Sequence, residues 1–424
     1  MIVLQVLQDY LPGHVGGVQV HAHQLARVLS GRGHSVFGCY TRRDLGAEAG
    51  SIRERDLDGV PLLEVVHQRE YRDVETSWHE ERATSVFQSI LERERPDVVH
   101  FQHFASWGLG CLTRARAAGC ATVVTIHDYF LLCDRTTLLD ADGVLCSPKN
   151  TQRCTGCLSH HSFHATRWQG KDETECHREA MTERLAYHRH HMRDAQRVIV
   201  PSRFLANVMQ SAELLSSDQL VHLKAGYPGP LRETRAPDAE APLRVGFVGV
   251  LDHPKGVHVL IEAMHLLRGE PLELAIHGPL AMSPQYVAEL RSAAGGYPIS
   301  FRGRFESDEV DRVMAELDVL VVPSLWYESM PLTIHEAWRN GLPVVASDLG
   351  GMAECVTHGV NGLLFPSGDA SALADTLHTL VHDRGLVARL ANGRPVLQTV
   401  ESVAQSVEEL YSRCVEESVR GIAR

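Results

Sequence analysis

The chain reads as an α/β protein of two domains, each built on a doubly wound parallel sheet, and three observations predict it. A length of 424 residues with 44% hydrophobic content exceeds what a single core usually holds. Both halves alternate β-rich apolar runs with amphipathic segments, the rhythm of parallel strands joined by crossover helices. Between them, from Val221 to Pro242, Gly226, Pro228, Gly229, Pro230, Pro237 and Asp238 crowd into one stretch, the composition of an interdomain linker. The expected division is a first domain at residues 1–225, a second at 226–400, and a helix at 401–424 packing back on the first.

In the first domain a strand from Ile2 to Leu7 precedes a helical segment from Val18 to Ser30. Further strands are expected at His34 to Tyr40, Asp97 to Gln102, Ala121 to His127 and Val198 to Pro201. Between about 130 and 176 the rhythm lapses into a stretch containing Cys, His and Gly, too long for an ordinary connection, which reads as an inserted functional loop. The second domain resumes with strand Leu243 to Val248, helix Gly256 to Leu267, and strands Leu272 to His277 and Ile299 to Arg302. A helix from Asp308 to Leu317, strand Val319 to Pro323, a helix near Pro331 to Asn340 and strand Pro343 to Ser347 complete it. Sheets wound in this way gather ligands at the carboxyl edge of their strands.

Composition narrows the function. A formal charge of −12, from 41 Lys+Arg against 53 Asp+Glu, argues against a long nucleic acid held through its phosphates. No apolar run approaches the ~18 residues of a membrane span, and Met1 leads directly into a strand without a basic leader. The expectation is a cytoplasmic protein with no transmembrane segment, peripheral contact with a membrane remaining compatible with it. Five cysteines, Cys39, Cys111, Cys120, Cys355 and Cys414, stand alone in apolar surroundings as small core residues.

The most specific feature is the run from Pro323 to Ala337, Pro-Ser-Leu-Trp-Tyr-Glu-Ser-Met-Pro-Leu-Thr-Ile-His-Glu-Ala, which follows a buried-strand signature and opens a helix. Ser329 is the expected N-cap, Pro331 suits the first turn, and Asn340-Gly341 closes the helix. The backbone from Ser329 through Met330 and Pro331 to Leu332 would then face outward as an anion site. Glu328 lies just before this positive end and Glu336 within the helix; carboxylates accept paired hydrogen bonds from hydroxyls, so one suits a sugar and the other a ribose diol. Taken singly, two glutamates at a helix start are ordinary solvated charges.

Three further loops follow strands. Gly13-His14-Val15-Gly16-Gly17-Val18 lets backbone amides approach a phosphate, although a Gly-Gly pair alone is a bland turn. Gly249 to Val257 carries Lys255, whose ordinary role would be a surface charge. His127-Asp128 ends a strand, where a lone His is commonly structural.

The run from Pro323 to Ala337 resembles the Glu-x7-Glu signature of glycosyltransferase family 4, a large family of retaining enzymes of the GT-B fold. The likeness continues through Gly341-Leu342-Pro343-Val344-Val345-Ala346-Ser347-Asp348, Gly350-Gly351, Glu354 and Gly359-Val360-Asn361-Gly362-Leu363-Leu364-Phe365. It implies two Rossmann-like domains facing across a cleft, the donor nucleotide held mainly by the second and the acceptor by the first. It further implies that Glu336 holds the donor ribose, that Glu328 lies beside the transferred sugar, and that the backbone at Ser329, Met330, Pro331 and Leu332 meets sugar and diphosphate. By the same resemblance Gly16 and Gly17 serve a donor-phosphate loop, Lys255 the diphosphate, and His127 the donor sugar, while Arg304 and Phe305 after strand Ile299 to Arg302 border the base. The family commonly has an Arg five residues before that Lys; here the position is Val250. No catalytic metal is implied.

The implied activity is that of a retaining, hexosyltransferase-type enzyme of carbohydrate biosynthesis, moving sugar from a nucleotide-diphosphate sugar to a glycan, a lipid-linked glycan or a small natural product. Two rivals stand beside it: a non-enzymatic metal-binding or regulatory protein on the same scaffold, and a nucleotide-sugar epimerase.

One feature is unrelated to that signature. Cys133, Cys146, Cys154 and Cys157, the last two a Cys-x2-Cys pair, have Cys176-His177 and His160, His161 and His164 close in sequence. Four thiols with a tight pair match a structural zinc site, or secondly an iron–sulfur cluster; disulfides and free thiols are the alternatives.

Overall fold

The computed structural model describes residues 1–14, 16–68, 78, 81–147, 154–157, 170–234, 238–280, 283–306 and 309–422. They form two compact units, one comprising Met1–Gly226 with Gln398–Arg424 and the other Tyr227–Leu397.

In the first unit the order is β1 (Ile2–Leu7), α1 (Gly17–Gly31), β2 (Ser35–Arg43), β3 (Ile52–Leu57), β4 (Val60–His67), α2 (Glu81–Glu94), β5 (Val98–Phe101), α3 (Gly110–Ala117), β6 (Ala121–Thr125), α4 (Cys154–Cys157), α5 (Glu173–Met192), β7 (Arg197–Val200), α6 (Arg203–Ser211) and β8 (Leu220–His222). The strands lie side by side as β3-β4-β2-β1-β5-β6-β7-β8. All pairs are parallel except β3 with β4. Val3, Leu4, Val6 and Leu7 of β1 are fully buried, as a central parallel strand with both faces covered requires. The pairing of β1 with β2 runs from Ile2 opposite Ser35 to Leu7 opposite Tyr40, and β1 pairs on its other side with β5.

The second unit contains β9 (Leu243–Val248), a 3-10 turn at His253–Lys255, α7 (Val257–Leu266), β10 (Leu272–His277), α8 (Pro284–Ala293), β11 (Ile299–Gly303), α9 (Val310–Ala315), β12 (Val319–Val322), α10 (Leu332–Arg339), β13 (Val344–Ser347), α11 (Gly350–Cys355), β14 (Gly362–Phe365), α12 (Ala370–His382) and α13 (Arg384–Asn392). Its six strands are ordered β11-β10-β9-β12-β13-β14 and all are parallel. One face packs on α7 and α12, through residues such as Leu260 and Leu377. The other packs on α9 and α10, through Met314, Ile334 and Trp338.

The last helix, α14 (Val400–Ile422), belongs to the first unit: Val403, Ala404, Val407, Leu410, Tyr411 and Cys414 are buried with residues of β1, β2 and α1. Among the described residues no helix is long and apolar enough to cross a membrane.

Local readings differ from expectation at several points: the strand expected from Ala121 to His127 ends at Thr125, so His127 and Asp128 lie in the loop beyond it. The helix expected from Asp308 to Leu317 spans only Val310–Ala315, Asp308 lying outside the described residues. Residues 52–67, unassigned in the sequence, form the antiparallel β3–β4 hairpin. Its two turn residues, Asp58 and Gly59, have φ of 53° and 78°, the conformation a two-residue hairpin loop favours.

Candidate functional site

In each unit the strand order reverses beside the first strand, and the loops flanking that reversal are where a doubly wound sheet binds ligands. In the second unit these are the loops after β9 and β12. They are tied together: the Leu325 N–H donates to the Pro254 carbonyl at 2.8 Å. Gly256, with φ of 70°, packs so closely that a Cβ there would lie 1.9 Å from the Pro323 carbonyl oxygen. This docking brings Lys255 of one loop to Glu328 of the other.

Three donors converge on one oxygen of Glu328. Oε1 accepts from the Lys255 ammonium at 2.6 Å, the Ser324 hydroxyl at 2.8 Å and the Trp326 indole N–H at 2.9 Å. The ammonium also lies 5.2 Å from the Trp326 ring centre, within cation–π range. Glu328 is buried and Lys255 partly exposed. An ammonium carries three donors, so Lys255 can hold Glu328 and still meet an anion. Ser324 and Trp326 were quoted in the sequence run without a role; the structure makes them the supports of Glu328.

The helix following this loop starts later than expected. Its N-cap is Pro331, with φ −71° and ψ 112°, and no side chain caps it; the expected cap, Ser329, lies two residues upstream. The Pro331 ring fixes the extended entry, and its carbonyl accepts the Ile334 N–H at 3.2 Å, which begins the helix one step past the proline. Pro331 has no N–H, so within the predicted anion-binding stretch it offers only shape. The amides of Leu332 and Thr333 have no helical carbonyl one turn behind them, and no acidic residue occupies the first turn, so the positive end suits an anion. Behind the loop Gly351 donates to the Glu328 carbonyl at 2.8 Å. A Cβ on Gly351 would sit 2.4 Å from the Ser329 carbonyl oxygen.

Glu336 lies on α10 in a different setting. Burial pushes its carboxyl up to about 7, the Arg339 charge opposing and the Asp311 charge reinforcing the shift. Asp311 is itself engaged by Arg232, Arg339 and Asn340. The helix ends as read, with Asn340 as C-cap and Gly341 at φ 71°.

Arg304 and Phe305 follow β11. Arg304 is exposed and lies 3.6 Å from Glu306, and among the described residues no contact joins it to Lys255 or Glu328. Phe305 packs partly buried on the sheet, its ring edge-on to His277 at 6.1 Å.

In the first unit the corresponding loops follow β1, β5 and β6. Gly16 is the extended N-cap of α1, which Gly17 opens with no acidic residue in the first turn; Val15 lies outside the described residues. A Cβ on Gly16 would meet the Gln19 side-chain oxygen at 2.8 Å. His127 stands 2.8 Å from Gln102 Oε1 through its Nε2, and its ring meets His21 edge-on at 5.5 Å. Burial holds His127 well below the ordinary imidazole value and His21 at about 4, so both rings are neutral near pH 7. Beside them His103 Nδ1 accepts the Ala105 N–H at 3.1 Å, leaving Nε2–H to donate to Asp128 Oδ2 at 3.1 Å. Sequence reasoning passed over His21, Gln102 and His103; their signal was position, in or beside the loops at the carboxyl edge of the sheet.

No disulfide joins any of the ten cysteines. Cys133, Cys146 and Cys157 surround Cys154 as electrostatic neighbours. Cys176 packs apart with Trp78 and Ala180, and His177 lies beside it on α5. His160, His161 and His164 lie outside the described residues.

Two Rossmann-like units of parallel strands, with loops and an open helix end converging at the strand-order reversal, define a protein of the GT-B fold. Solved structures agree on this fold. A sucrose-phosphate synthase from Thermosynechococcus elongatus superposes with a TM-score of 0.69 at 20% identity, over 97% of this chain and 98% of its own. Anabaena HepE in complex with UDP and glucose gives 0.66 at 19% identity, over 97% and 99%.

The family is given by sequence. Residues 15–221 match the model described as Glycosyltransferase Family 4, and residues 242–383 the model described as Glycosyl transferases group 1. The chain belongs to glycosyltransferase family 4. It is 34% identical over 143 residues to an amylovoran biosynthesis glycosyltransferase of Erwinia amylovora, covering 32% of this chain and 35% of that one. It is 32% identical over 179 residues to a D-inositol 3-phosphate glycosyltransferase of Corynebacterium urealyticum, covering 39% and 42%. These matches span about two fifths or less of the relatives' own length.

Proposed function

We propose that the chain is a retaining glycosyltransferase that moves a sugar from a nucleoside-diphosphate sugar to an acceptor hydroxyl, its second unit holding the donor. The observation that carries this is the convergence of Lys255, Ser324 and Trp326 on Glu328 immediately before an uncapped helix end. That is a carboxylate fixed beside a cation and free amides, the chemistry that grips a sugar linked to a diphosphate. HepE, a fold neighbour, holds UDP, which supports a nucleoside diphosphate as ligand.

In the proposed reaction the bond between sugar C1 and the diphosphate oxygen breaks as C1 gains oxocarbenium character. The departing charge is taken up by Lys255 and the α10 amides, an electrostatic contribution that is often the largest in catalysis. The acceptor oxygen adds to C1 from the same face, and its proton passes to a departing phosphate oxygen. Glu328 and neutral His127 orient hydroxyl groups and take no covalent part.

A thermal-shift panel of UDP, GDP and ADP with their sugars tests this, because a ligand that binds only the folded state raises its melting temperature. One nucleoside diphosphate should raise it by several degrees, and the matching donor should be consumed with the product anomer unchanged by NMR. No shift across the panel would sink donor binding; binding without transfer or hydrolysis would favour a regulatory protein.

A further inference from the structure

The insert after β6 gathers four thiols from three separate turns. The Cys133 N–H donates to the Tyr129 carbonyl at 2.8 Å. Cys146 closes a small knob in which Asp140 Oδ1 accepts from the amides of Asp142 at 3.0 Å and Val144 at 2.8 Å. There Leu139 and Leu145 form an antiparallel bridge, and the Cys146 N–H donates to the Leu138 carbonyl at 2.7 Å. Cys154 and Cys157 stand three residues apart on α4, a spacing that puts both on one helix face.

A second, independent observation lies on α5. Arg184 is 2% exposed, donates to the Phe130 carbonyl and stands 5.3 Å from the Phe130 ring centre. Its Nε has no hydrogen-bond partner. Among the described residues no carboxylate forms an ion pair with it; Asp134 and Asp128 act only at longer range, alongside the nearby Cys133 and Cys154. A buried guanidinium without a counter-ion is costly, and neutral thiols do not offset it. A zinc ion held by four thiolates carries two net negative charges and does.

We propose that Cys133, Cys146, Cys154 and Cys157 bind a structural zinc ion, with Arg184 as its buried counter-cation. The fit requires movement. Among the described residues no three of these sulfurs all lie within 4.8 Å of one another, whereas tetrahedral zinc with bonds of about 2.3 Å sets its sulfurs roughly 3.8 Å apart. Cys133, Cys146 and the α4 pair would have to close together to hold the ion, which would then fix the insert that follows the His127–Asp128 loop. Glu270, His378 and His382, on the surface of the second unit, form a group whose ligand atoms already meet that distance, so any metal measurement must separate the two.

The experiment uses the full chain without a histidine tag, purified after growth with added zinc, and measures metal by elemental analysis in three forms: wild type, C154S/C157S and H378A/H382A. About one zinc per chain is expected in wild type and in the histidine variant, and none in the cysteine variant. Wild-type protein without stoichiometric metal overturns the proposal, as does zinc that follows the histidine pair, or iron with inorganic sulfide. If C154S/C157S does not fold, cobalt-substituted wild type decides. Intense thiolate-to-cobalt charge-transfer bands support the site, and a weak spectrum of nitrogen and oxygen ligands overturns it. None of these readouts depends on sugar transfer.

Discussion

Glu328 and Glu336 occupy one turn-and-helix segment in opposite electrostatic settings. Three donors fix one oxygen of Glu328, whereas burial lifts Glu336 to about 7. Glu336→Ala should therefore weaken donor binding by about tenfold to a hundredfold, the worth of charge-assisted hydrogen bonds, while turnover at saturation changes little. Glu328→Ala should lower kcat by roughly a hundredfold, because the proposed reaction places it beside the developing charge. Steady-state kinetics that showed both variants unchanged would remove the assignment. The raised carboxyl of Glu336 has two consequences of opposite sign. Because the folded chain holds this proton where the unfolded chain has released it, the group costs stability progressively as pH rises from 4.5 toward about 7. If Glu336 grips the donor as assigned, donor binding should instead weaken about tenfold per unit as pH falls below that value. Titration calorimetry across this range measures it, and Glu336→Gln should bind weakly with no such dependence. Glu328 and Glu336 could be singled out in the sequence because their motif is contiguous with its strand and helix. The supports could not, since only the docking of two distant loops shows that Ser324, Trp326 and Lys255 share one oxygen.

The elements that carry these residues were read correctly where apolar runs were long, as in β1 and β9, and less well where a single residue decided a boundary. Ser329 has the chemistry of an N-cap, but the proline two positions later dictates where helical dihedrals begin, and rigid φ outweighs a side-chain hydrogen bond. The β3–β4 hairpin carried its own signal in Asp58-Gly59. Its first strand is so largely exposed that no hydrophobic period announced it. Gly350-Gly351 matched a motif before its purpose was visible, which is to let α11 back directly onto the Glu328 loop. Gly351→Ala should cost about 1–3 kcal/mol, the usual range for overpacking, and weaken donor affinity through displacement of the Ser329 carbonyl. Melting curves with and without nucleoside diphosphate test this; an unchanged apparent affinity in a folded variant would show the loop to be independent of its glycine support.

On the scale of the whole chain, the sheet of the first unit is completed by residues from the far end of the sequence. The burial of Val403, Val407, Leu410 and Tyr411, at roughly 1.5–3 kcal/mol per large apolar side chain, is of the order of a domain's entire stability. A chain ending at residue 397 should lose the cooperative transition of the first unit. A fragment of residues 227–397, which keeps both its core clusters, should fold and bind nucleoside diphosphate alone. Calorimetry of both forms checks this, and a first-unit transition that survives truncation would contradict it. Tyr411→Phe removes only the 2.6 Å bond to His100 and should cost about 1 kcal/mol.

Because α14 follows the whole second unit in the sequence, the ribosome delivers the N-terminal sheet well before the helix that seals it. The nascent chain must carry an open apolar groove through the synthesis of the entire second unit, so the C-terminal half of this protein has the chance to mature first. Any need for chaperones during translation is therefore expected to fall on the N-terminal half.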